Sequence, residues 1–63
     1  MITYCILKLA TTGNSHLTLQ ADGTFVKTDG AEKPILFLAI DAAESFMKWQ
    51  KLTPLKYHIC RWG

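Results

Sequence analysis

The 63-residue chain has no apolar run long enough to cross a bilayer as a helix: its longest, Pro34–Ile40, spans seven residues, where roughly 20 are needed. A membrane helix is thereby excluded. Cysteine is scarce, with only Cys5 and Cys60 near opposite ends of the chain, so a disulfide framework cannot carry the stability. The two would be small packed thiols in a reducing compartment, or neighbours if their strands meet. The four glycines are scattered, none in a G-x-G-x-x-G or G-x-x-x-x-G-K-[ST] context, which leaves no glycine loop to cradle a nucleotide. Residues Met1–Lys8 lack the basic start and small-residue cleavage site of an export signal, so a cytoplasmic location is expected.

What the chain does have is packing surface. Hydrophobic residues make up 49%, including two Trp, three Phe and two Tyr, against 19% charged, which is the composition of a folded domain rather than a disordered segment. At 7.1 kDa, only about 60% of the extended chain's surface can be buried. The expectation is one small α+β domain over residues 1–63 with a thin core.

Thr3–Leu9 is rich in β-branched and aromatic residues, and a period of two sets Ile2, Tyr4 and Ile6 against Cys5, Leu7 and Leu9. Turn chemistry follows at Thr11–Ser15. His16–Gln20 alternates, with Leu17 and Leu19 inward and His16, Thr18 and Gln20 on a wet face. Asp22-Gly23 is a hairpin signal leading to a third extended stretch, Thr24–Thr28, so the first 28 residues predict an antiparallel three-stranded meander. Asp29–Pro34 breaks it, and Ile35–Leu38 is a short strand or an extended approach to a helix.

The pattern Asp41-Ala42-Ala43-Glu44 has the form of a capping box, with Asp41 as N-cap and Glu44 reaching back, and predicts a helix over about 42–51. Its buried stripe would hold Ala43, Phe46, Met47 and Gln50, broadened by Ala42 and Trp49. Pro54 would end it. A last strand over about 55–62 opposes Leu55, Tyr57 and Ile59 to Lys56, His58, Cys60 and Trp62. A crossover of this length lets that strand rejoin the sheet beside the first one, in the parallel sense if it pairs with a crossover partner. The helix then packs on one sheet face.

One short helix cannot cover large apolar side chains on both faces of the terminal strands, so a second body is expected over the remainder. The expected partner is another copy of the chain or another protein, with Tyr4, Tyr57, Trp49 and Trp62 as candidate interface residues. The alternative is a small nucleic-acid-binding protein for single-stranded DNA or RNA. Residues 33–63 carry five Lys and Arg against two carboxylates, while residues 1–32 carry two lysines against three. Lys48, Lys51, Lys56 and Arg61 would contact phosphates, with aromatic residues among them to stack on bases.

Catalytic and metal chemistry find little footing. His58 and Cys60 share one side of the last strand, but nothing in the sequence marks a lowered thiol pKa. The order Cys5, His16, His58, Cys60 lacks the paired spacing of a zinc site. Asp22, Asp29 and Glu32 fall in turns, and Asp41 and Glu44 are accounted for at a helix start. The expectation is a non-enzymatic protein without metal or cofactor.

Overall fold

A computed structural model describes residues 2–9, 15–32 and 34–62. The elements are β1 (Thr3–Leu9), β2 (His16–Leu19), β3 (Phe25–Lys27), a 3₁₀ turn at Thr28–Gly30, α1 (Ile40–Trp49) and β4 (Tyr57–Trp62). The four strands form one sheet in the order β3-β2-β1-β4, every neighbouring pair antiparallel. This is the α+β fold that the sequence predicts, with one helix packed on the sheet.

The return of β4 corrects one expectation. It lies beside β1 as expected but runs antiparallel to it, with Thr3 opposite Trp62 and Lys8 opposite Tyr57. The chain leaves the sheet at β3, on one edge, and re-enters at β4, on the other. It therefore crosses the whole sheet instead of returning beside its predecessor, and the parallel rule for adjacent crossover strands does not apply.

The β2–β3 connection, residues 20–24, is closed by Gln20 and Thr24 around a three-residue turn at 21–23. Gly23 donates to the Gln20 carbonyl at 3.0 Å and Gln20 to the Thr24 carbonyl at 2.7 Å, and Gly23 takes φ +90°, a conformation that costs a side chain-bearing residue about 1–2 kcal/mol. Asp22 Oδ1 accepts from the Thr24 hydroxyl at 2.6 Å and from the Thr24 amide at 3.0 Å. Those two bonds, the hydroxyl's first, hold the carboxyl below its usual pKa. The turn expected at Thr11–Ser15 lies, apart from Ser15, outside the described residues.

Between the meander and the helix, Pro34 forms an isolated bridge with Gln20, and Phe37 with Tyr4. Phe37 and Tyr4 exchange both backbone bonds at 2.8 Å, and the Ile35 amide donates to Leu19 at 2.9 Å. The stretch Ile35–Leu38 is thus an extended approach pinned at points, not a strand.

The helix starts two residues before the capping-box reading placed it. Ala39, extended at φ −145° and ψ 151°, is the N-cap, and no side chain caps the end. Asp41 and Glu44 are inside the helix, and Asp41 in the first turn still meets the positive end of the helix dipole. Its other end is set by the backbone more than by Pro54. Lys51 adopts φ +57°, while its amide donates to Lys48 at 3.2 Å and that of Leu52 to Met47 at 2.8 Å. These are the two bonds of a Schellman motif, with lysine in the place glycine usually takes.

Ala43 and Met47 are buried beneath the helix. The core cluster joins Ile6, Leu19 and Met47, with Phe25, Ile35, Phe37, Phe46, Leu52, Tyr57 and Ile59 packed around it. Phe37 and Phe46 meet tilted at 5.4 Å. Of the expected stripe, Gln50, Ala42 and Trp49 are exposed. Thr18 also departs from expectation: placed on a wet face by alternation, it is fully buried, and its hydroxyl finds no hydrogen-bond partner among the described residues.

Candidate interaction surface

Strand register sorts the side chains. Tyr4, Ile6 and Lys8 of β1 share a face with Tyr57, Ile59 and Arg61 of β4, and Ile6 and Ile59 place that face under the helix. Thr3, Cys5 and Leu7 share the opposite face with Trp62, Cys60 and His58. The long separation between Cys5 and Cys60 thus closes into a direct cross-strand pair of free thiols. Burial, and secondarily the neighbouring Cys60, push the Cys5 thiol above its ordinary pKa, the reverse of what a nucleophile needs. His16 and His58 meet edge to face at 6.5 Å. Among the described residues no three His, Cys, Asp or Glu side chains come together as a metal site, and no helix is long and apolar enough to cross a membrane.

The four aromatic residues singled out from sequence occupy different settings. Tyr4 and Trp62 are half-buried at the same end of the β1–β4 pair, and the Thr3 hydroxyl donates to the Trp62 carbonyl at 2.8 Å. Tyr57 is half-buried against the core, its ring 5.9 Å from that of Phe25. Lys8 Nζ stands 5.6 Å from the Phe25 ring and 5.8 Å from the Tyr57 ring, a cation held over both. Trp49 alone stands free, 84% exposed. Lys48, Lys51, Lys56 and Arg61 are all exposed. Lys48 and Lys51 sit at the end of α1, and Lys56 and Arg61 lie toward opposite ends of the last strand, so the four cations do not gather into one cluster.

Sequence alternation missed a set of exposed aliphatic residues: Ile2, Leu9, Leu36, Leu38, Ile40 and Leu55. Three of them belong to the apolar run Pro34–Ile40, whose hydropathy was visible but whose partial withdrawal from the core was not. Beside the outer side of β4, a groove of about 520 Å³ is lined by Met47, Leu52, Pro54, Tyr57 and Ile59, with Glu44, Lys48 and His58 also bordering it.

Comparison of the chain with protein-family models, with curated proteins and with solved structures gives no significant match.

Proposed function

We propose that this protein is a small non-enzymatic interaction module whose partner is a second copy of itself. The observation that carries this reading is surface left over. A monomer of 7.1 kDa is expected to expose roughly 4,100 Å², whereas this chain exposes 4706 Å². Its radius of gyration is 10.8 Å, close to the roughly 10.6 Å of a compact domain of its length. The chain is thus as compact as its length predicts and still exposes roughly 600 Å² more than its mass predicts. Among the described residues, the large aliphatic and aromatic side chains that are exposed outnumber those that are fully buried.

Light scattering over a concentration series tests this reading. The expected result is a mass of two chains that falls toward one on dilution; a single-chain mass at every concentration would exclude it.

A second reading, binding of single-stranded nucleic acid, rests on the free ring of Trp49 with Lys48 and Lys51 close to it in the chain. It predicts retention on an oligonucleotide that weakens steeply with salt and with neutralisation of both lysines. No retention at low salt would dismiss it.

A further inference from the structure

We infer that the second copy docks edge to edge along β4, antiparallel about a two-fold axis through Ile59, to make one continuous eight-stranded sheet. This rests on the self-association proposed above and assigns it to a backbone edge, apart from the exposed aliphatic residues.

The first ground is the direction of the backbone groups. The Leu9 amide donates to the Lys56 carbonyl at 3.0 Å, and register then makes His58, Cys60 and Trp62 the residues of β4 bonded to β1. On the other side of β1, Tyr4 bonds Phe37, which fixes the same alternation independently. The amides and carbonyls of Tyr57, Ile59 and Arg61 consequently face outward. Among the described residues, the one backbone bond these outer amides make is from Tyr57 to the Thr53 carbonyl, at 3.0 Å. An unpaired strand of this length with no proline or bulge is a ready template for another strand.

The second ground is that the strand is complementary to its own reverse. Pairing about Ile59 sets Lys56 opposite the partner's Trp62, Tyr57 opposite the partner's Arg61, His58 opposite the partner's Cys60, and Ile59 opposite its own copy. Every cation meets an aromatic ring, no cation faces a cation, and the only self-pair is aliphatic. All three outward residues meet outward residues, so Ile59 bonds its copy twice and the Arg61 amides reach the Tyr57 carbonyls, without disturbing the Tyr57 bond to Thr53.

The third ground is space. The helix does not close over this edge; the groove lined by Met47, Leu52, Tyr57 and Ile59 lies open there, on the side where the partner's Ile59 and Arg61 side chains would arrive.

Arg61→Pro tests the inference. Its amide points away from β1 and its side chain is exposed, so proline at this edge position removes an outward donor and a cation while sparing the internal ladder. Sedimentation equilibrium of the wild type and the variant, with circular dichroism as a check on fold, is the experiment. The expected result is a wild-type dimer and a folded variant whose dissociation constant rises about a hundredfold or more. Should the proline variant unfold, Arg61→Glu keeps the donor and is expected to weaken the dimer about tenfold; an unchanged constant there would overturn the edge. A folded Arg61→Pro variant that dimerises as tightly as the wild type would also overturn the edge while leaving self-association standing. A wild type that stays monomeric would overturn both.

Discussion

At one edge of the sheet, β3 holds three residues and is stopped by a 3₁₀ turn, with the Thr28 hydroxyl donating back to the His16 carbonyl at 3.1 Å. At the other edge, β4 holds six residues, each in register with β1. Both strands expose outward backbone groups, because the Gln20 bond to Thr24 leaves Phe25 and Lys27 facing away from β2 just as Ile59 and Arg61 face away from β1. What separates them is length. β4 is the longer unbroken run, six residues against three, and on the proposal above that length is what favours it as the edge for a second copy.

The most forceful way to break this comparison is to remove the strand that both halves of the sheet depend on. β1 pairs with both β2 and β4, and Ile6 at its centre is fully buried. Ile6→Ala is expected to cost about 2–5 kcal/mol, which in a domain with so small a core means chemical denaturation at far lower denaturant, and loss of both edges together. A sharper comparison comes from Lys27→Pro. This places proline at an outward position of β3, as Arg61→Pro does on β4, and is expected to leave the association constant unchanged in the same sedimentation experiment.

Two turn substitutions follow, with opposite signs. Gly23→Ala puts a side chain at φ +90° and is expected to destabilise the β2–β3 hairpin by about 1–2 kcal/mol, seen as a lower melting temperature without change in assembly. Lys51→Gly relieves the left-handed residue after α1 and is expected to stabilise by up to about 1 kcal/mol. The smallest effect concerns the thiols. Cys5 is buried, with a raised pKa, and Cys60 is half-exposed, so iodoacetamide should label Cys60 first in the native protein. Because the fold favours the neutral Cys5 thiol, the stability tied to it is complete below the ordinary thiol pKa and is lost as pH rises through the raised value.

Much of the fold was legible in the residues. Alternation in Thr3–Leu9 and His16–Leu19 identified both strands and the inward side of Leu17 and Leu19, and Asp22-Gly23 located the hairpin. The helix was found but displaced, because Asp41 has the chemistry of a cap and only tertiary pinning of Phe37 against Tyr4 shows that the chain turns helical sooner. The sense of β4 was not legible, since it depends on which edge the crossover reaches. Thr18 was misplaced because alternation gives the side of a sheet but not its depth. An apolar excess on the terminal strands was expected from the residues, but the exposure of Leu36, Leu38, Ile40 and Leu55 was not. That β4 lies at an edge, with Ile59 and Arg61 turned outward, depends on pairing between residues more than fifty positions apart, which no local pattern encodes.

Amide hydrogen exchange at Ile59 and Arg61 reads those outward backbone groups themselves. Strong protection of both amides at high protein concentration, lost on dilution while Cys60 and Trp62 stay protected by β1, is the predicted result. Fast exchange at Ile59 and Arg61 in a solution where the protein is fully dimeric would contradict the account.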